Sequence, residues 1–246
     1  FPGKDRRDTA MVKKGIASYE RFVKSYETEG NWPIYRAKIY LADALSWVGR
    51  NEEAADIYIW ASKENVNDPK KYREPSIAER KLTQPADAGY NAVLELQLAA
   101  NAEVDRQGGD AKKAYKTPIA ARYMGAVDNY ITLFPKAADV DALAYNIFLY
   151  QVNGEDWERA ISSGNRLIKM FPQFKLLNDA RARLAYSYTQ SGKFVEAERE
   201  YRTVIGALPK GDTLTSQMTQ NVGEVVWRMA ENSEKANKTD SAVYHY

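Results

Sequence analysis

Apolar residues in this chain return every three or four positions, as at Ile147 and Tyr150 or Leu184 and Tyr188. No segment alternates apolar and polar residues between turn signals. The first spacing puts apolar side chains on one face of a helix, and the missing alternation argues against half-buried strands. An all-helical fold is therefore expected, with the helices taken in pairs. First members are placed near 33–48, 87–106, 138–152, 177–190 and 216–231, and second members near 10–27, 52–65, 115–134, 157–171 and 194–208.

The pairs repeat when the chain is slid along itself. A shift of 143 positions (184 − 41) carries Leu41-Ala42, Gly49, Ala54 and Tyr58 onto Leu184-Ala185, Gly192, Ala197 and Tyr201. A shift of 37 (197 − 160) carries Ala160 onto Ala197, Leu167 onto Val204 and Pro172 onto Pro209. It also brings Trp157 near Phe194, with one extra residue between Gly154 and Trp157. A weaker echo pairs Gly89-Tyr90-Asn91 with Ala144-Tyr145-Asn146, and Phe134-Pro135 with Phe171-Pro172. Each recurring residue has a physical task. Ala42, Ala185, Ala54 and Ala197 let two helix axes approach, with aromatics filling the space beside them. Gly49, Gly154 and Gly192 are expected to end the first helices in the left-handed conformation. Pro135, Pro172 and Pro209 stop the second helices, since proline lacks an N–H and clashes with the preceding turn.

Leu184-Ala185, Tyr188, Gly192, Phe194, Ala197, Tyr201 and Pro209 stand where the tetratricopeptide repeat family has its signature residues, and the chain resembles that family. The resemblance implies a right-handed superhelical solenoid of antiparallel helix pairs, with about five to six repeats and insertions. A single solenoid over 1–246 is expected, with repeats near 10–27 (half), 33–66, 87–135, 138–172, 177–209 and 216–246 (incomplete). Departures are the missing terminal proline at 35–66, Gly164 where an aromatic is usual, and a long interhelical insert in 87–135. Ala242 and Tyr246 are spaced as Ala197 and Tyr201 are, so a sixth second helix is expected to stop midway, as in a segment of a longer protein. The run Tyr19-x-x-Phe22-Val23-x-x-Tyr26 and the Phe-Pro endings resemble a bacterial envelope subclass that includes the barrel-assembly lipoprotein and the Tol–Pal coordinator. That favours the periplasm or cell envelope over the cytoplasm.

Charge narrows the partners. Thirty-five Lys and Arg against 33 Asp and Glu leave a formal +2, with no basic run to suit nucleic acid or an anionic membrane. No stretch of about 18 apolar residues would insert in a bilayer, and Phe1-Pro2-Gly3-Lys4 is not the start of a signal peptide. With no cysteine there is no disulfide and no thiolate, and the one histidine, His245, lies one residue from the end, which leaves no histidine-based site within the folded repeats. Carboxylates such as Glu52-Glu53, Glu198 and Glu200 read as polar helix faces. Gly108-Gly109-Asp110 lacks the lysine and hydroxyl residue of a phosphate loop and reads as a turn. Asn237-Lys238-Thr239 fits a glycosylation sequon. No catalytic residue, cofactor or metal site is expected.

A groove is what remains. In such repeats first helices line the concave side. The inward positions are Arg36, Asp43 and Trp47, then Asp141, Phe148 and Gln151, then Asp179, Tyr186 and Gln190, and finally Trp227. Aromatics among charged and amide groups suit an extended peptide or a partner helix. The same aromatics would equally serve to pack adjacent helices. Relatives that clamp a C-terminal carboxylate carry lysine and asparagine where this chain has Ile39, Asp43, Ala144, Phe148, Ala182 and Tyr186, which argues against that ligand. The expected function is a non-catalytic scaffold for a protein or peptide. The alternatives are a self-associating spacer and an accessory domain of a larger enzyme. Residues 67–86, with a helical stretch at Ser76 to Leu82, and the insert from Asp105 to Thr117 are the two irregular segments.

Overall fold

The computed structural model describes residues 9–26, 32–64 and 84–235. Those residues form eleven helices and no strand. They are α1 (Thr9–Ser25), α2 (Trp32–Trp47), α3 (Asn51–Ser62), α4 (Pro85–Arg106), α5 (Ala111–Tyr115), α6 (Pro118–Leu133), α7 (Val140–Asn153), α8 (Trp157–Met170), α9 (Leu177–Gln190), α10 (Phe194–Ala207) and α11 (Thr213–Lys235). The all-α expectation holds. The helices group into two compact units, Phe1–Val140 and Asp141–Tyr246, α7 falling almost wholly in the second. Most of 67–86, with its Ser76 to Leu82 stretch, lies outside the described residues. So do Phe1-Pro2, the 237–239 sequon, Ala242, His245 and Tyr246.

One backbone device closes four first helices. The N–H of Arg50 donates to Leu45 C=O at 2.9 Å, Gly109 to Val104 at 2.9 Å, Asp156 to Gln151 at 3.1 Å and Lys193 to Tyr188 at 2.9 Å. These six-to-one bonds need a left-handed residue just before the donor. Gly49 (φ 79°), Gly108 (φ 68°) and Gly192 (φ 72°) supply it in three turns. In the fourth the expectation for Gly154 fails. Glu155 holds the left-handed position, at φ 55°. Under the 37-residue shift Glu155, not Gly154, is the counterpart of Gly192, and Trp157 falls directly on Phe194.

Second helices end where proline was expected to stop them. Phe134 (φ −128°, ψ 56°) and Phe171 (φ −127°, ψ 65°) repeat one cap geometry before Pro135 and Pro172, each N–H donating at 2.9 Å, to Tyr130 and Leu167 respectively. Helix α10 stops at Ala207, two residues before Pro209, through an extended Leu208 (φ −78°, ψ 145°). The second helix placed at 115–134 is α6, which starts at Pro118, while α5 lies in the insert expected from Asp105 to Thr117. Pro118 forbids a continuous helix through its own position, so Thr117 is extended (φ −86°, ψ 157°) and α5 forms a separate turn capped by Asp110.

Within each unit successive helices pack on one another. The first unit's core joins Ile16, Tyr35, Leu45, Ala54, Tyr58 and Ala92 from α1 to α4. The second joins Phe148, Leu167, Leu184, Ala185, Tyr201 and Val225 from α7 to α11. Each large apolar side chain there contributes roughly 1.5–3 kcal/mol by leaving water.

Candidate partner-binding groove

In residues 141–235 the first helices α7, α9 and α11 line a common pocket of about 450 Å³. Its polar surface comes from Asn153, Glu155, Arg183, Gln217 and Asn221, and its aromatic wall from Trp157, Tyr186 and Tyr201. The helical period explains the set. Arg183 is three residues before Tyr186 on α9, and Gln217 is four before Asn221 on α11, so each pair shares a face. Tyr186 stands edge-on to Trp157, ring centroids 5.7 Å apart, and keeps 46% of its surface in solvent. Arg183 Nε donates to Asp179 Oδ2 at 2.8 Å, and the Tyr145 hydroxyl donates to the same carboxylate oxygen. Burial, then the bond to Asp179, pushes the Tyr145 hydroxyl above its ordinary pKa. Burial pushes the Tyr201 hydroxyl above its ordinary pKa as well.

Of the residues expected in this groove, Tyr186 lines the pocket and Asp179 anchors Arg183. Phe148 does not reach the surface. It is fully buried and packs between helices, because Gly164 opposite it leaves space that its ring shares with Leu184, with Cε2 3.0 Å and Leu184 Cδ1 3.1 Å from where a Cβ on Gly164 would lie. Gln151 is likewise buried, its Oε1 accepting no hydrogen bond. Asp141, whose Oδ1 accepts from the Ala142 N–H at 2.7 Å, sits in the first turn of α7, where the helix dipole favours an acid. Gln190 is exposed at the end of α9 and Trp227 is 54% exposed on α11. Neither lines the pocket, since Trp227 is six residues from Asn221 and faces another way. Sequence reading missed Arg183, Asn153, Gln217 and Asn221. The signal was present for Arg183, which lies four residues after Asp179 and three before Tyr186.

In the first unit Arg36, Asp43 and Trp47 share one stripe of α2 by the same period. Arg36 donates to the Tyr40 hydroxyl at 3.1 Å and lies over its ring. Asp43 accepts from the Tyr58 hydroxyl. Desolvation there pushes the Asp43 carboxyl up while that bond draws it down. Trp47 is 40% exposed.

The carboxylates resolve into ion pairs. Glu52 and Asp56 hold Arg122, and Glu53 holds Arg50. Glu200, expected on a polar face, is instead buried and bound by Arg181 at 2.5 Å. Among the described residues no group of three or more His, Cys, Asp or Glu is placed to hold a metal ion, and no helix is long and apolar enough to cross a membrane.

The fold and its recurring turns define a helical-repeat protein of tetratricopeptide-like build. No protein-family model matches the chain, and no curated protein matches it. Among solved structures it is similar to BtubC (BKLC) from P. vanneervenii, with 13% identity over 99% of this chain and 88% of that one and a TM-score of 0.40. It is also similar to MamA of AMB-1, with 16% identity over 86% of this chain and 87% of that one and a TM-score of 0.36. Likeness at these scores carries nothing about what the chain binds.

Proposed function

We propose that the chain is a non-catalytic protein-binding scaffold, and that its 141–235 segment holds an extended peptide against α7, α9 and α11. The observation that supports this reading is the pocket where Asn153, Gln217, Asn221 and Arg183 meet Tyr186 and Trp157. A side-chain amide offers both a donor and an acceptor, which matches the main chain of an extended segment whatever its sequence. Arg183, already paired with Asp179, and Glu155 add one charge of each sign, and the aromatics give an apolar side chain a place to rest. A setting in a bacterial cell-envelope assembly belongs to the same proposal and rests on the Tyr19–Tyr26 run and the Phe-Pro endings alone.

The test is calorimetry with a partner recovered by affinity capture. Arg183→Ala and Tyr186→Ala should each weaken binding by roughly 1–3 kcal/mol, about 5- to 150-fold. Lys169→Ala, exposed on α8, should change it by less than about 0.5 kcal/mol. Unaltered affinity in both groove variants would sink the reading. Light scattering across concentration separates it from a self-associating spacer, which would grow in mass without any partner.

A further inference from the structure

Helices α1 and α2 are a second helix followed by the next first helix, as are α3 and α4, and α10 and α11. In the two later pairs a preceding first helix covers the alanine and tyrosine of the second. Ala54 and Tyr58 are buried under α2, whose Asp43 accepts from Tyr58 while Ser46 Oγ donates to Glu95 of α4 at 2.6 Å. Ala197 and Tyr201 are buried in the same way. On α1 Ser18 and Phe22, four residues apart, lie on the face beside α2 that no preceding first helix among the described residues covers. Phe22 and Tyr40 of α2 line one groove, where Tyr19 stacks at a tilt against Tyr40 with ring centroids 6.1 Å apart. Yet Ser18 is exposed and Phe22 is 40% exposed, against 3% for Tyr58 and Tyr201. No described residue fills the place. An apolar groove of about 540 Å³ lies there, walled by Tyr19, Phe22, Pro33, Ala37 and Tyr40 with Arg36 at its edge.

The groove belongs to a longer stripe. Met11 (66% exposed), Gly15, Phe22 and Tyr26 (43% exposed) follow the helical period along α1, about 22 Å at 1.5 Å per residue. A Cβ on Gly15 would meet nothing within 4 Å, so the stripe is open at its middle. Among the described residues its rims are basic. Lys14 and Arg21 flank it on α1 and Arg36 on α2, while the one acid of α1, Glu20, is turned away towards Arg50, 3.5 Å distant.

We propose that this groove seats one amphipathic helix of a partner protein, with apolar residues on one face and carboxylates beside them. The length of the stripe, the open middle and the cationic rims fit about four turns of such a helix. This surface is separate from the 141–235 pocket and goes beyond the function proposed for it.

The probe is a synthetic helical peptide of about 16 residues with leucines at i, i+3, i+7 and i+11 and glutamates flanking them, beside a twin with lysines for the glutamates. The glutamate peptide should bind at least about tenfold more tightly, by the fold-change of about 1.4 kcal/mol per decade. Arg21→Glu with Lys14→Glu should reverse the preference. Phe22→Asp should abolish binding, and Gly15→Trp, which fills the open middle without removing a contact, should do the same while the circular dichroism stays helical. Tyr186→Ala should leave it unchanged, so that this test and the one for the 141–235 pocket fail separately. Equal binding of the two peptides would overturn the proposal, as would binding that survives both Phe22→Asp and Gly15→Trp. So would a dimer of the chain alone that Phe22→Asp dissociates, or uptake by anionic phosphatidylserine vesicles that Phe22→Asp removes while neither peptide binds.

Discussion

Three helical hairpins solve one packing problem in two ways. In α2–α3 and α9–α10 the first helix offers a small residue, Ala42 or Ala185, and the second a ring, Tyr58 or Tyr201. In α7–α8 the sizes are exchanged. The position of Ala42 and Ala185 is held by Phe148 (42 + 106 and 185 − 37), and that of Tyr58 and Tyr201 by Gly164 (58 + 106 and 201 − 37). The ring now comes from the first helix and reaches the space above Gly164, 3.0 Å from where its Cβ would stand, with Leu184 Cδ1 at 3.1 Å on the other side. A close-packed interior constrains the summed volume at a contact more tightly than it constrains which chain segment supplies it. Polarity is what the exchange alters. Tyr58 and Tyr201 carry hydroxyls, that of Tyr58 donating to Asp43, whereas Phe148 has none to place.

The largest effect should come from deleting the exchanged ring. Phe148→Ala removes a fully buried side chain opposite a residue with no side chain of its own, so the gap is bordered by Leu184 but not filled from Gly164. A loss of about 3–5 kcal/mol is expected in a denaturant titration, as for large-to-small changes in other cores. A loss under about 1 kcal/mol would show that the ring is not what holds α7 to α8.

A smaller effect should come from the other partner. Gly164→Tyr forces a ring into space already held by Phe148 and Leu184, at an expected cost of roughly 1–3 kcal/mol. Combined with Phe148→Ala it rebuilds the arrangement of the other two hairpins, so the double variant should be more stable than Phe148→Ala alone. A coupling energy above about 1 kcal/mol in the double-mutant cycle is the outcome that establishes the exchange, and strict additivity would refute it.

The pattern of the chain made the helices legible because apolar period, glycine turns and proline stops are local signals. All ten placed helices correspond to single elements, and the one placed at 115–134 starts at Pro118, whose effect on Thr117 is also local. The groove was less legible. Trp47, Tyr186 and Trp227 were chosen as large residues on first helices, but size does not say which way a side chain faces, and Phe148 went inwards to meet a glycine on another helix. The polar members of the pocket, Asn153, Gln217 and Asn221, come from two helices far apart in sequence, and only the stacking of the hairpins brings them together. Glu200 misled for the same reason. Its burial depends on Arg181, nineteen positions earlier (200 − 181), which no helical period relates to it.

The turns give the finest test of the likeness between hairpins. The α9–α10 and α7–α8 turns share the six-to-one bond, at 2.9 and 3.1 Å, yet the left-handed residue is Gly192 in one and Glu155 in the other. A side chain in that conformation crowds its own backbone, at a cost of about 1 kcal/mol that glycine avoids. Glu155→Gly should therefore stabilise the protein by about 1 kcal/mol, less the extra backbone entropy glycine brings to the unfolded chain. Gly192→Ala should destabilise it by a similar amount, because a Cβ there meets no neighbouring atom and only the conformational cost is added. Glu155→Ala is the discriminating control. It removes the carboxylate but keeps a Cβ in the left-handed region, so it should recover little of the gain. If Glu155→Ala stabilises as much as Glu155→Gly, the carboxylate and not the backbone is the source of the difference between the two turns.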